Sequence, residues 1–374
     1  MVIKRTIKKF FIKYINFSNK HNPLINSLKK DVKSLKKENK KNNKKIAKLE
    51  KSNKKLTAER KTYEKTFDSY NFLFNNIYLD FELKPKGFLA TYQKLCLEML
   101  DFIDNICNKY DIEYWLDAGN VLGAYRHGAF LPWDDDIDIA IMREEYFKLS
   151  DALKKEIELN GLSDNMFLSE IRLIDENIVY TFPQLIYSCE DIGIDFLASV
   201  DFFQFDYISE FSEDLEAEFK REKAKFFMDI INSLDKDIRD EIKKEDVKKV
   251  DLTDIVDVRH FIQNSYESLN LTFEKQDHLI QGVDGNLGGG VQDFSLFKSE
   301  DFFPLDTIEF CGKEYPCENN VPGYLAAIYD ENFRKIPRIV RHHSAQSKLR
   351  DREDIIPILE SVIERMREVN KNFN

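Results

Sequence analysis

The sequence predicts an α+β body, built on a mixed β-sheet flanked by helices, with a helical insertion and an N-terminal helical, coiled-coil-like arm. Three observations point there. Residues 1–65 hold 22 Lys/Arg and 5 Asp/Glu, a net charge of +17; the whole chain is −11, so the remainder carries −28. Within that acidic remainder, apolar residues shift between helical spacing and the two-residue alternation of strands. Residues 210–281 are densely charged and helical in pattern. The predicted organisation is an arm over 1–65, a body over 66–374 and an insertion over 210–281.

Composition narrows the function classes. Hydrophobic residues make up 43% of the chain, enough for a sizeable core. No uninterrupted apolar run is long enough for a membrane-spanning helix, and no secretory leader pattern opens the chain. Five scattered cysteines predict reduced thiols in a cytosolic compartment. Cys311 and Cys317 read as unpaired thiols of a hairpin rather than half a zinc site, because no second thiol pair stands nearby. A body this acidic repels polyanions, which argues against nucleic acid as substrate.

The elements follow in chain order. Residues 1–20 alternate apolar and basic side chains: Ile3, Ile7, Phe10, Phe11, Tyr14 and Ile15 share one helical face, while Lys4, Lys9, Lys13 and Lys20 reach outward. Such a helix suits an anionic membrane surface; packing on the body or on a partner is the plain alternative. Residues 24–65 accept a heptad with Val32, Asn39, Ile46, Asn53 and Arg60 at a, and Leu28, Leu35, Asn42, Leu49, Leu56 and Tyr63 at d. The polar a and d positions weaken that seam while selecting its register. A short coiled coil, and with it a homo-oligomer, stands against a solvated helix or tether.

Residues 88–110 predict an amphipathic helix and 114–116 a short strand ending at Asp117-Ala118-Gly119. A short helix through Leu122 and Tyr125 leads to a loop at 127–135 broken by Gly128 and Pro132. Ile137–Met142 reads as a strand, Glu144–Leu159 as a helix stopped at Gly161, and 194–205 as a buried strand. Residues 282–290 hold five of the 13 glycines and predict a loop. Residues 307–316 predict a hairpin turning at Cys311-Gly312-Lys313, and 355–369 a terminal amphipathic helix.

The chemistry concentrates in YWLDAGNVLGAYRHGAFLPWDDDIDIAIM, residues 114–142. Asp136 and Asp138 flank Ile137, and residues two apart on a strand face the same way. Two such carboxylates converge on divalent cations, Mg²⁺ or Mn²⁺, while Ile137 and Ile139 point to the core. Four aspartates within five residues repel one another unless a cation or solvent relieves them. A solvated acidic turn is the bland alternative. Gly119-Asn120, at a strand–helix junction, predicts backbone approach to a phosphate at a helix N-terminus, and Arg126 and His127 add donors at its other end. A Gly-Asn pair followed at this distance by DxD on a strand is the pattern of the nucleotidyltransferase fold, which needs a third carboxylate from a neighbouring strand. Asp201 is the first candidate, with Asp195 and Asp206 behind it.

On these residues the sequence resembles the LicD family, bacterial phosphocholine transferases related to fukutin and fukutin-related protein. The resemblance rests on GNVLGAYRHGAFLPWDDDIDIAIMR and continues through VDFFQFD at 200–206, the hairpin, and VPGYLAAIYDENFRKIPRIVRHHS at 321–344. Asn120 stands where the family has Ser or Thr, and Tyr329-Asp330-Glu331-Asn332 replaces the usual Tyr-Gly-Asp stretch. Residues 1–65 have no counterpart in the family core. The resemblance implies a CDP-linked alcohol donor and a cell-surface glycan acceptor. Asp136, Asp138 and Asp201 would then hold the metal, Gly119, Asn120, Arg126 and His127 the donor phosphates, with Arg341, His342 and His343 as a further basic cluster. Two other functions stay open: a catalytically inactive scaffold, and a nucleotidyltransferase that makes the activated donor. The expected location is cytoplasmic, with the arm on the inner face of the cell membrane.

Overall fold

Lysine-rich sequence without helix breakers continues as helix until something stops it. In the computed structural model, α1 spans Val2–His21 and α2 runs unbroken from Pro23 to Asn76. No Gly or Pro interrupts residues 24–76, so the arm extends past the predicted limit at 65. The structure describes the chain apart from residues 1, 22, 78–83, 176–177, 181, 194–195, 211–213, 237–249, 255, 258, 260–261, 264–265, 267, 284–285, 289–293, 337–348, 350 and 374. Two units form, Met1–Tyr78 and Leu79–Asn374.

In the second unit, α3 (Phe88–Tyr110) buries Tyr92, Leu95, Met99 and Ile103 along one stripe and ends at Asp111 in left-handed conformation. Then come β1 (Trp115–Leu116), α4 (Ala118–His127), β2 (Ile137–Met142) and α5 (Arg143–Leu159). Four short strands follow: β3 (Met166–Ser169), β4 (Arg172–Asp175), β5 (Ile178–Tyr180) and β6 (Gln184–Ser188). The long β7 (Leu197–Ile208) leads into α6 (Leu215–Ser233). The remaining strands are β8 (Val250–Asp251), β9 (Leu271–Thr272), β10 (His278–Gln281), β11 (Asn286–Gly288), β12 (Ser295–Lys298), β13 (Asp306–Phe310) and β14 (Lys313–Cys317). Helices α7 (Val321–Tyr329) and α8 (Ile356–Lys371) close the unit.

Strand β7 is the spine of the main sheet. On one edge it pairs in parallel with β2 and, further on, antiparallel with β9; on the other it pairs antiparallel with β6 and β10. β1 lies outside β2, β3 outside β6 and β12 outside β10. The sheet is therefore mixed, with one parallel pair at its centre. Helix α8 packs on α3, where the Asn370 amide donates to Glu98 O at 2.9 Å and Phe102 meets Phe373 edge-on at 5.7 Å. The core between them is almost wholly apolar and contains Ile137, Ile139 and Ile141 of β2.

Two predicted spans differ in detail. The helical reading of 210–281 holds for α6, which covers its own apolar cluster around Phe219, Ile230 and Leu252. The end of that span instead supplies β9 and β10 to the main sheet, because their few apolar residues are drawn to the open length of β7. Of the glycine-rich stretch, Asn286–Gly288 pairs with β5 rather than looping free. The hairpin turns at Cys311 and Gly312, both at positive φ, with Cys311 exposed and Cys317 buried as free thiols.

Candidate active site

Register builds the site. Asp138 of β2 is the direct partner of Asp201 on parallel β7, so their side chains leave the sheet side by side. Leu116 pairs with Ile139, which sets Asp117 beside Asp138, and the Asp117 N–H donates to Asp138 O at 3.0 Å. Gln184 of β6 is the partner of Asp201 on its other side and donates to it at 2.6 Å. A polar row, Asp117–Asp138–Asp201–Gln184, thus runs from the residue just after β1 across β2, β7 and β6. Asp136, two residues before Asp138, extends it. Ile137, Ile139, Val200 and Phe202 take the other face and enter the core.

The environment resists so many ionised carboxylates. Burial and then the charge of Asp136 push Asp201 up to about 6, and burial pushes Asp117 up to about 6 despite bonds from Tyr324, Ala118 and Gln281. Asp138 and Asp134 are held well above the usual carboxylate range, by burial first and by Asp136 second. Tyr329, at the end of α7, stands close enough that Asp138, Asp117, Asp134 and Asp136 reinforce burial in raising its hydroxyl.

Helix α4 locks the loop that delivers these groups. Asp117 caps it, accepting from Ala118 N at 2.8 Å. Asn120 is fully buried: its amide donates to Asp136 O at 3.3 Å and its carbonyl oxygen accepts from Asp138 N. The side chain expected at a phosphate is therefore spent on the strand backbone, and Asn120 positions the DxD segment instead. Gly119 also has a different occupant from the one expected. A Cβ there would lie 2.7 Å from Asp134 Oδ2, so the missing side chain makes room for a carboxylate. From α3, Gln93 donates to Asp134 O at 2.8 Å and fixes the loop from behind.

At the other end of α4, Arg126 lies 5.9 Å from the Trp133 ring, and Gly128 terminates the helix in left-handed conformation. Arg126 Nη1 and His127 Nε2 are buried with no hydrogen-bond partner. Burial lowers the pKa of both, and the neighbouring guanidinium lowers His127 further, which favours its neutral form. Buried nitrogens without acceptors are costly unless an anionic ligand completes them. Asp206, a runner-up as third carboxylate, lies on the opposite face of β7 in a bidentate pair with Arg143, at 2.7 and 2.8 Å. Asp195, Arg341, His342 and His343 lie outside the described residues.

Several neighbours went unread in the sequence: Asp117, Gln184, Tyr324, Tyr329 and Arg172. The Tyr324 hydroxyl donates to Asp117, and Gln281 donates to its other oxygen at 3.2 Å. The Arg172 guanidinium donates to Ser169 and Phe182 carbonyls and lies near enough to Asp201 to favour its charge. Phe182 stacks on Phe203, which shares the face of Asp201 two residues on. Asp117 carried a signal at the end of the predicted strand, and Tyr324 and Tyr329 stand in the 321–344 stretch that carries the resemblance; Gln184 and Arg172 come from segments without one.

Among the described residues, no three Asp, Glu, His or Cys side chains already enclose a metal position. The donor set still fits a hard divalent cation. All its ligating atoms are carboxylate oxygens, their mutual repulsion is what a cation relieves, and Asp134 Oδ2 is buried without a partner.

A mixed sheet with a helix-capped DxD strand and a third aspartate beside it defines a nucleotidyltransferase-type domain. Residues 111–236 match the LicD/FKTN/FKRP nucleotidyltransferase domain. It is similar to the lipopolysaccharide cholinephosphotransferase LicD of Haemophilus influenzae, 43% identical over 68 residues, 18% of this chain and 26% of that protein. An uncharacterized protein of Rickettsia prowazekii is 34% identical over 73 residues, 20% of this chain and 26% of that protein. Human ribitol 5-phosphate transferase FKRP is 38% identical over 48 residues, 13% of this chain and 10% of that protein. The chain thus spans about a quarter, or less, of the length of these relatives.

Proposed function

We propose that the body transfers a phospho-alcohol group, phosphocholine or a similar one, from a CDP-linked donor to a hydroxyl of a cell-surface glycan. The observation that carries this is the polar row from Asp117 across β2, β7 and β6, with Asp138 and Asp201 in direct register. Asp136, Asp138 and Asp201 would hold Mg²⁺ or Mn²⁺, which when bound neutralises charge on the diphosphate and on the departing CMP. Asn120 keeps the DxD backbone in place. The unpartnered nitrogens of Arg126 and His127 fit the oxygens of the transferring phosphate. A glycan oxygen attacks phosphorus as the bond to CMP breaks, and the hydroxyl proton passes to a carboxylate of the cluster that does not hold the metal.

The arm is proposed to rest on an anionic membrane at the cytoplasmic face. Support comes from α1, where Phe10, Phe11 and Phe17 are exposed among lysines. No described helix is long and apolar enough to cross a membrane.

The deciding experiment screens CDP-alcohols with candidate glycans for CMP release and phosphate incorporation into the glycan. Incorporation supports the proposal. Release of pyrophosphate with CDP-alcohol synthesis identifies a donor-making nucleotidyltransferase. Binding of CDP-ligands without turnover identifies a scaffold.

A further inference from the structure

Helix α2 is 54 residues long, about 80 Å at 1.5 Å per residue, and none of its described residues is buried. Its apolar side chains are not scattered. The heptad frame set by Val32 and Leu35 continues beyond Tyr63 through Phe67, Tyr70, Phe74 and Ile77. Ile77 still donates to Leu73 O at 2.9 Å, so helical geometry reaches it. Leu35, Leu49, Leu56 and Tyr63 are each at least 60% exposed. Exposed hydrophobic residues at a 3.5-residue period along such a helix describe one half of a seam.

We infer that the occupant of this seam is a second copy of the chain, in a parallel, in-register, two-stranded coiled coil. Two features select that partner and that alignment. The first is the asparagines. Parallel pairing sets a against a and d against d, so Asn39, Asn42 and Asn53 each meet their own counterpart and can exchange side-chain hydrogen bonds. Antiparallel pairing sets a against d. Two asparagines occupy a positions and one occupies d, so any antiparallel alignment leaves an asparagine against a residue of another type.

The second feature is charge. Parallel pairing brings each g residue beside the e residue five places on in the other copy. Asp31 then faces Lys36, and Lys45 faces Glu50, two opposite-charge pairs. Glu59 faces Glu64, but Arg60 stands at the a position between them and already pairs with Glu64 at 3.4 Å within the helix. Most of the remaining lysines fall at b, c and f, away from the seam. Their repulsion between copies is screened by salt. Self-association therefore strengthens with salt, whereas attachment to anionic lipid weakens. Parallel pairing also carries both copies of α1 at the same end of the rod.

The test uses the full chain, with its mass followed by light scattering and sedimentation at low and high salt. The expected mass is twice the 44.2 kDa of one chain, with the dimer favoured at high salt. The double variant Leu49→Lys, Leu56→Lys should return the mass to one chain, a twofold drop, while the body keeps its near-ultraviolet circular dichroism. Orientation is read by placing Asn39→Cys or Asn53→Cys, one at a time, in a Cys311→Ser background. Both should give disulfide-linked dimers under a mild added oxidant. A one-chain mass at both salt concentrations, a mass above two chains, or a dimer in which neither cysteine cross-links overturns the inference. So does association that requires anionic vesicles and fades with salt.

Discussion

Asp138 holds the most constrained carboxylate of the site. It lies between Asp117 and Asp201 in one row, with Asp136 just before the start of its strand, and its ionisation is opposed by burial and by all three charges. Asp138→Asn removes a cation ligand and a source of repulsion together. We predict that turnover falls at least about 100-fold, on the scale of losing one preorganised electrostatic contact. The metal-free variant should melt at or above the wild-type temperature, as scanning calorimetry will show. Near-normal turnover by folded protein would remove Asp138 from the reaction. Asp117 and Asp201 set a pH dependence. In the folded state both titrate near 6, while the unfolded chain has an ordinary value of 3.8, so between these pH values the folded protein holds the extra protons. The contribution of these two groups to stability therefore falls as pH rises through about 6. Metal-free protein should melt higher at pH 5.5 than at pH 7.5, and saturating Mg²⁺ should narrow that gap. A melting temperature that rises over this interval contradicts the buried-acid account.

Helix α4 shows how one short element sets a site. Its first turn pins β2 through Asn120, and its last turn buries Arg126 Nη1 and His127 Nε2. Gly123, between these ends, lets the helix press on the 129–131 segment: a Cβ there would stand 2.5 Å from Ala129 O and 2.9 Å from Leu131 N. Those are backbone atoms of a loop held by Gln93, so they yield little. Gly123→Ala should destabilise the body by about 1–3 kcal/mol, the usual range for overpacking, by urea denaturation. An unchanged midpoint would mean that the loop relaxes freely. Helix α1 makes the opposite use of its residues, leaving apolar and basic side chains both exposed. Each basic residue near an anionic surface contributes about 1 kcal/mol, screened within a Debye length. Full-length chain should float with anionic vesicles at low salt, and a chain lacking residues 2–21 should not. Flotation of both forms alike would exclude α1 as the anchor.

For the molecule as a whole, the sequence by itself determined what depends on neighbours along the chain. The heptad on α2, the amphipathic stripe of α3, the strand at 137–142 and the Cys311-Gly312 turn are local patterns whose periods match their backbone geometry. Asp138 shares that legibility, because alternation on a strand sets its face opposite Ile137 and Ile139, whereas Asp136 lies just before β2. Asp201 was readable only as one of three candidates. Tertiary structure separated it from Asp206, because the parallel register of β2 and β7 puts Asp201 beside Asp138 and turns Asp206 to the other face, against Arg143. The same step reassigned Asn120 from phosphate to backbone and brought Gln184, Gln281, Tyr324 and Tyr329 to the acids. It also drew strands from 271–272 and 278–281 out of a span that reads as helix. Such partners come from segments far apart in sequence. Their meeting is fixed by which strand edges remain open and which faces are already buried, and no local period records that.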